Sequence, residues 1–253
     1  MTSKKYILGA LAGSLACTGS AQAMLFLRGE LDFGAALETG GFEIEAHAVR
    51  GFFEDPMSMS GEREITNMDG EVFEADEVSV SVPDILRTGV SSDIAAAGVS
   101  SGDNLWVLPQ TENLNAPFVA LASEELNPMD WSSTFITFTL DSVVSPSGNG
   151  TFSMWESGAL PGDPVTFHFS SAGANLTAGG DNAFESAFGH NHVNWGFNEP
   201  GTWTVNITAS GTRVGDTTPT TASAPLTFVV VPEPSSALLC GLGALSLLRR
   251  KRS

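Results

Sequence analysis

Two histidines separated by one residue carry the clearest potential for chemistry in this sequence. His190 and His192 lie in the segment 189–205. On a β-strand, side chains two positions apart share a face at roughly 7 Å, so two imidazoles can hold one tetrahedral ion between them. A third ligand could be His168, His47 or a carboxylate, and imidazole with carboxylate favours zinc over calcium. The alternative is a pair of surface or hydrogen-bonded histidines without a metal.

Two acidic segments and one serine motif offer weaker chemistry. The segments 67–71 and 74–77 are rich in Asp and Glu, but their spacing does not satisfy an EF-hand loop, so a solvated acidic loop is favoured. Ser100 stands in a Gly-x-Ser-x-Gly match, and a nucleophile elbow needs a strand before it and a helix after it. The following residues read as a turn into a strand, which argues against an envelope hydrolase.

The elements that must position these side chains are strands. Apolar and polar residues alternate with period two through most of the chain, and Gly, Ser, Asn and Pro fill the gaps. This pattern predicts an all-β, β-sandwich-like fold. The strand-like segments are 42–48, 78–82, 135–140, 165–169, 203–208 and 226–231.

The segment 189–205 is predicted to form a hairpin that turns at Asn198–Gly201. Asp93–Val99 is predicted to form a short helical turn, and residues 54–77 and Thr217–Ala224 are predicted to be surface loops. The five tryptophans could stack on sugars if exposed, but their place in alternating runs favours core packing.

The N-terminus has the three parts of a secretory signal. Lys4 and Lys5 precede an apolar stretch, and the small residues that follow end in Ala21-Gln22-Ala23. This arrangement predicts a signal peptide over residues 1–23, with cleavage after Ala23 by signal peptidase and a mature start at Met24.

The C-terminal tail, residues 231–253, also has three parts in order. They are a Val231-Pro232-Glu233-Pro234 motif, an uncharged apolar stretch from 235 to 248, and a basic end that includes Arg249 and Arg250. As a helix the apolar stretch would span about 21 Å, which is short for the roughly 30 Å hydrocarbon core. Arginines at its end can snorkel outward and should stay on the cytoplasmic side of the membrane. That orientation places the body of the protein, which precedes the tail, on the outside. A simple membrane anchor is the alternative to a sorting signal.

Charge and cysteine usage separate the two ends from the body. Residues 24–231 hold 5 basic and 28 acidic side chains and no lysine. Such a body repels phosphate backbones, which argues against nucleic-acid binding. The two cysteines, Cys17 and Cys240, lie in the terminal segments, so the body can form neither a disulfide nor a thiolate metal site.

Two resemblances follow from these motifs. The tail resembles the PEP-CTERM sorting signal of Gram-negative bacteria, which implies processing by an exosortase and delivery to the cell surface or extracellular matrix. The body, residues 24–230, resembles surface-anchored proteins of the choice-of-anchor M group. That resemblance rests on Leu105-Trp106-x-Leu108-Pro109-Gln110 and on Gly189-His190-x-His192-x-Asn194-Trp195-x-Phe197-x-x-Pro200-Gly201. The group tends to show Gly-His-x-Asp near the mature N-terminus, where this chain has Gly29-Glu30-Leu31-Asp32.

The sequence therefore predicts a non-catalytic, exported bacterial surface or matrix protein. It would be membrane-anchored through a short C-terminal helix before processing, and extracellular polysaccharide is a possible partner. The alternative is a metal-binding surface protein that uses His190 and His192, with zinc as the expected ion, linked to metal capture. An envelope hydrolase is the third and least favoured reading.

Overall fold

The chain folds into sixteen strands within the part that the computed structural model describes, residues 23–39, 41–67, 69–157, 165–173 and 182–232. In chain order they are β1 (Met24–Glu38), β2 (Gly41–Glu54), β3 (Glu62–Glu64), β4 (Glu71–Glu74), β5 (Val78–Val82), β6 (Arg87–Gly89), β7 (Asn104–Leu108), β8 (Pro117–Ala122), β9 (Phe135–Val144), β10 (Phe152–Glu156), β11 (Thr166–Ser170), β12 (Ala183–Ala187), β13 (His190–His192), β14 (Asn194–Phe197), β15 (Gly201–Gly211) and β16 (Thr220–Val230). The prediction of an all-β fold is confirmed.

The strands form two sheets. The larger sheet has the order β12-β9-β15-β16-β5-β1-β2-β3, with β4 added to β2 and β8 added to β1. The smaller sheet has the order β11-β10-β14-β7-β6. β1 is long enough for its N-terminal end to pair in parallel with β5 and for its middle to pair in parallel with β8, while β2 runs antiparallel along its other edge. β13 then pairs with the free edge of β8.

Aromatic side chains from both sheets share one core. Trp195 of the smaller sheet packs on Phe228 of the larger sheet with ring centroids 5.4 Å apart, and Phe197 packs on the same ring at 5.0 Å. All three side chains are fully buried. The period-two alternation explains this packing, because every second residue of β15 and β16 is buried, and Trp195 and Phe197 lie two positions apart on β14, whose residues are all buried.

The predicted hairpin over 189–205 is wrong. β13 belongs to the larger sheet, β14 belongs to the smaller sheet, and β15 returns to the larger sheet. The chain therefore changes sheets at Val193 and again at the turn before Gly201. Val193 and Trp195 are buried in the core between the sheets, so inward alternation holds even though the pairing partners differ from those of a hairpin.

Two loop predictions are also partly wrong, and one helical prediction is confirmed. β16 begins at Thr220, inside the segment predicted to be a loop, and β3 and β4 lie within the irregular acidic stretch. Ala95–Ala97 forms a single turn of 3-10 helix, as predicted, and Gly98 ends it with φ +62°. Further 3-10 turns are Ala75–Glu77, Asp84–Leu86 and Pro128–Asp130.

The predicted signal and sorting segments fall almost wholly outside the described residues. Only Ala23 of the first, and Val231 and Pro232 of the second, lie within them. Val231 lies directly after the final strand, and its N–H donates to the carbonyl of Val82 at 2.9 Å. Across the described ranges, helices are confined to short 3-10 turns, and none has the length and apolar character of a membrane span.

Candidate metal centre

One row across four strands brings distant residues together. Asp32 of β1 lies opposite His47 of β2 on one side and Ala120 of β8 on the other. Ala120 in turn lies opposite His192 of β13. Residues in register across a sheet project from the same face, so the Asp32, His47 and His192 side chains stand on one side of the larger sheet.

Small residues in the same rows leave room for these side chains. Gly34, Ala122 and His190 form the next row, also in register across β1, β8 and β13. Ala120 and Ala122 are buried and carry only a methyl group each. The space above them is filled by the longer polar side chains of the neighbouring strands, which converge over β8.

Apolar packing on the other face fixes this arrangement. Leu31 and Phe33 alternate with the acidic residues of β1, and Val119 and Leu121 alternate with the alanines of β8. All four are fully buried in the common core. A one-residue slip would send the carboxylate of Asp32 into that core, so the register is strongly specified.

A histidine–glutamate cluster, defined as Glu30, His190 and His192, lies at the β8 side of this face. One ligand atom from each residue lies within 4.8 Å of the other two. His192 Nε2 is 3.6 Å from Glu30 Oε1, which is too long for a good hydrogen bond, and both side chains are about nine-tenths buried. The two imidazole centroids are 5.3 Å apart. A metal ion between these atoms would be held by two imidazole nitrogens and one carboxylate oxygen.

His192 is held in a fixed position by Phe118. The two rings stack with centroids 3.4 Å apart and an angle of 8° between their planes. Its Nδ1 is buried against the backbone of Val119 without a hydrogen bond of good geometry. Burial lowers the pKa of His192 below its ordinary value, while Glu30 acts in the opposite direction. A neutral imidazole with an available lone pair is the form that binds a metal ion.

Arg50 fixes the glutamate of the same cluster. One of its guanidinium nitrogens lies 3.1 Å from Glu30 Oε2 and 3.0 Å from Glu112 Oε1. The other oxygen of Glu30, Oε1, is the one nearest His192. The arginine thus orients the carboxylate so that one oxygen remains directed at the histidines.

A second grouping, here called the carboxylate pocket, consists of Asp32, His47, Glu124 and Glu125. Ligand atoms of His47, Glu124 and Glu125 lie within 4.8 Å of one another, and Asp32, Glu124 and His190 meet the same limit. His190 Nδ1 is 3.1 Å from Glu124 Oε2 and 3.9 Å from Asp32 Oδ2, so it lies between the cluster and the pocket.

Asp32 is the least solvated carboxylate of the site. Its side chain is 1% exposed, and neither oxygen has a hydrogen-bond partner. Burial raises the pKa of Asp32 to about 7; His190 lowers it, and Glu30 and Glu124 add to the rise. A buried, unpaired carboxylate is costly, which makes it a functional candidate.

His168, the remaining sequence-predicted ligand, is not part of this site. It lies on β11 of the smaller sheet, where its Nε2 is 3.1 Å from Glu156 Oε2 and its ring packs edge-on against Phe184. The structure therefore brings together His47, His190 and His192 of the four candidates. It adds four acidic residues that the sequence did not single out as ligands: Glu30, Asp32, Glu124 and Glu125. The available signal for two of them was the placing of Glu30 and Asp32 on the polar side of an otherwise apolar strand.

Residues that carry the resemblance connect neighbouring strands of the smaller sheet through hydrogen bonds. β14 pairs with β7, so the Trp-x-Leu-Pro-Gln motif and the Asn-Trp motif are adjacent. Asn194 Oδ1 accepts from the Gln110 backbone N–H at 3.0 Å, and its Nδ2 donates to Gln110 Oε1, the Trp155 carbonyl and Ser157 Oγ. Trp195 is fully buried beside them.

The other sequence candidates have structural roles. Ser100 lies in a turn, and its backbone N–H donates to the Asp103 carboxylate. Strand β7 follows this turn, so the strand–turn–helix of a nucleophile elbow is not formed. In the acidic loop, Glu71 makes a two-point ion pair with Arg63 at 2.7 and 2.9 Å. Core packing of the tryptophans is confirmed for four of the five. The four buried ones are Trp106, Trp131, Trp195 and Trp203, and Trp155 is half-buried.

Comparison of the chain with protein-family models, with curated proteins and with solved structures finds no match in any of the three.

Proposed function

We propose that the chain is an exported, non-catalytic bacterial surface protein whose β-sandwich-like body binds a zinc-like divalent ion. The observation that carries the metal assignment is the convergence of Glu30, His190 and His192, whose ligand atoms meet within 4.8 Å. Two imidazoles and one carboxylate are a donor set typical of zinc, with a fourth position left for water or another ligand.

The surroundings of the cluster support metal binding over a purely structural role. His190 Nδ1 contacts Glu124 outside the cluster at 3.1 Å, but within the cluster the closest approach of His192 to Glu30 is 3.6 Å, too long for a good hydrogen bond. Phe118 and Arg50 orient His192 and Glu30 from outside the ligand set, as supporting residues of metal sites do.

Export and surface location rest on the ends of the chain and on its charge. The first strand begins at Met24, directly after the proposed cleavage site, and the last strand ends at Val230, directly before the Pro-Glu-Pro motif. The excess of acidic residues between these points attracts cations and favours solubility outside the cell. The resemblance of the tail to PEP-CTERM signals supports processing by an exosortase, and the resemblance of the body to choice-of-anchor M proteins supports a surface location, where the metal site would serve metal capture.

Zinc binding to the purified body, residues 24–230, tests the metal assignment. We expect one tightly bound zinc per chain at the histidine–glutamate cluster, and loss of that ion in the double variant His190→Ala/His192→Ala. His168→Ala is the matched control, because that histidine also faces a glutamate but lies in the other sheet. No zinc retained at micromolar concentration, or equal loss in the control, would reject the assignment.

The sorting assignment has a separate test. Mass spectrometry of the protein recovered from cells that contain an exosortase should show a mature N-terminus at Met24 and loss of the Arg249–Arg252 end. A mature protein that keeps this basic end would contradict exosortase processing and would favour a simple membrane anchor.

A further inference from the structure

We propose that the carboxylate pocket is a second cation site, distinct from the zinc site, which takes an oxygen-preferring divalent ion such as Mn²⁺. Its ligands are Asp32, His47, Glu124 and Glu125. The inference goes beyond the proposed function, because it concerns residues outside the histidine–glutamate cluster.

The orientation of His47 points to a cation. Its Nε2 lies 3.0 Å from the backbone carbonyl of Asp69, and since a carbonyl can only accept, Nε2 must carry the proton. In the neutral ring Nδ1 is then the lone-pair nitrogen. Nδ1 is buried without a hydrogen-bond partner and lies 3.9 Å from Glu125 Oε1, so two acceptors face each other. A backbone carbonyl that fixes the far nitrogen is a usual feature of metal-bound histidine.

Gly70 is required for this contact. Its φ is +76°, and a Cβ at this position would overlap the His47 ring. The loop that carries Asp69 can therefore approach His47 only because residue 70 has no side chain.

Asp32 provides a second, independent indication. Its side chain is 1% exposed and both oxygens are without a hydrogen-bond partner, yet it is directed at the same pocket. A carboxylate is desolvated in this way at a net cost unless a cation or hydrogen-bond donors compensate it. None of the described residues that line the pocket is a lysine or an arginine.

The size of the pocket fits a single ion. Its volume is about 10 Å³, close to that of one water-sized sphere. His47, Glu124 and Glu125 bring their ligand atoms within 4.8 Å of one another, and Asp32 comes within the same distance of Glu124. Three carboxylates and one imidazole favour Mn²⁺ over zinc, because zinc prefers a larger share of nitrogen ligands. The imidazole disfavours Ca²⁺, which prefers oxygen ligands alone. Glu124 and Glu125 are exposed at the mouth, so an ion can enter from solvent.

Electron paramagnetic resonance of Mn²⁺ tests this site. The metal-free body, residues 24–230, is loaded with one equivalent of Zn²⁺ and titrated with MnCl₂, and the signal of free Mn²⁺ measures binding. We expect one saturable Mn²⁺ per chain, and a loss of affinity of about tenfold or more in Glu124→Gln/Glu125→Gln. Asp32→Asn should show the same loss.

A charge-matched control and the zinc content separate the outcomes. Glu54→Gln/Asp76→Asn removes two exposed negative charges outside the pocket and should bind Mn²⁺ like the wild type. Unchanged Mn²⁺ affinity in the Glu124/Glu125 variant, no saturable Mn²⁺ binding, or loss of Mn²⁺ only in His192→Ala would overturn the inference while leaving the zinc site intact. Mn²⁺ binding that depends on Glu124 and Glu125 in a chain that holds no zinc would instead support the inference and reject the proposed function.

Discussion

Asp32 and His192 stand on one row of the larger sheet with only Ala120 between them. Their backbones are two strand spacings apart, and each spacing is about 4.8 Å. The two side chains are therefore too far apart for direct contact but close enough to reach neighbouring ions. His190, one row along, faces Asp32 and Glu124 through Nδ1. The histidine–glutamate cluster and the carboxylate pocket are therefore adjacent halves of one polar face, and they differ in their share of nitrogen and oxygen donors.

The buried carboxyl of Asp32 should make the metal-free protein less stable as pH rises. Its pKa is about 7 in the folded chain, well above the ordinary value of an aspartate. Between about pH 4 and pH 7 the folded state thus holds a proton that the unfolded state has lost, so this group's contribution to the free energy of unfolding falls across that range, by up to about 4 kcal/mol in total.

Urea denaturation in chelator at several pH values measures this effect. Asp32→Asn mimics the protonated form, so its stability should match that of the wild type near pH 4 and exceed it by a few kcal/mol at pH 8. The exposed Asp76→Asn serves as the control and should show no such divergence. A stability difference between Asp32→Asn and wild type that stays constant with pH would contradict the raised pKa.

Phe118 should determine zinc affinity without binding zinc. Its ring stacks on His192 with an angle of 8° between the planes, and it lies on β8 directly opposite Glu30. Phe118→Ala frees the imidazole to leave the ligand geometry, and we expect zinc to bind about tenfold more weakly. Isothermal titration calorimetry measures the affinity, and Phe118→Trp should restore most of it because a flat ring is retained. Equal affinity in all three proteins would show that the stack does not position His192.

The sequence was sufficient to predict the fold class and the face of the strand on which each side chain lies. It was not sufficient to predict which strands pair with each other. Period-two alternation places Ile44, Ala46 and Ala48 inward and His47 outward, as observed. It contains no information on register between strands far apart in the chain. The approach of Asp32 to His47 follows from the antiparallel pairing of β1 with β2. The approach of Glu124 to both follows from the parallel pairing of β1 with β8, which local patterns do not encode.

The hairpin prediction failed for a related physical reason. Asn198–Gly201 has turn chemistry, and Gly201 does adopt φ +127°, but a turn between two strands does not require that they pair. Trp195 and Trp203 both reach the common core from different sheets. A hairpin and a crossing between sheets bury these two large aromatic residues equally well. The crossing is favoured because it lets β15 pair along its whole length with the long strand β16.

Asn194 should matter for stability and not for metal binding. Its buried side chain accepts one hydrogen bond and donates to three acceptors at the junction of β7, β10 and β14. Asn194→Ala leaves the Gln110 N–H without this partner, and we expect the free energy of unfolding to fall by about 2–3 kcal/mol. Asn206→Ala, which removes one bond to Ser142, should cost under about 1 kcal/mol. Zinc titration of the folded Asn194→Ala protein should match wild type, and weaker zinc binding would contradict this division of roles.

A substitution of Gly29 should affect both stability and zinc binding, because Gly29 lies at the irregularity in β1 that places Glu30 opposite Arg50. Its φ is +110°, and an added Cβ would overlap the backbone of Arg50 and Gly51. The register between β1 and β2 shifts immediately after this point, between Glu30 and Leu31. Gly29→Ala must push the two strands apart, and we expect a loss of about 2–4 kcal/mol in the free energy of unfolding, together with weaker zinc binding in the folded fraction.

Two glycine controls separate the causes of that loss. Gly41→Ala has the same kind of φ, +137°, but open space around the new methyl group, so it reports the backbone cost alone, about 1 kcal/mol. Gly89→Ala has open space without a positive φ and should be close to neutral. Denaturation and zinc titration of the three variants should rank Gly29→Ala as the most destabilised and the only one with reduced zinc affinity. If Gly29→Ala lost no more stability than Gly41→Ala and bound zinc normally, close packing at this irregularity would not be what positions Glu30.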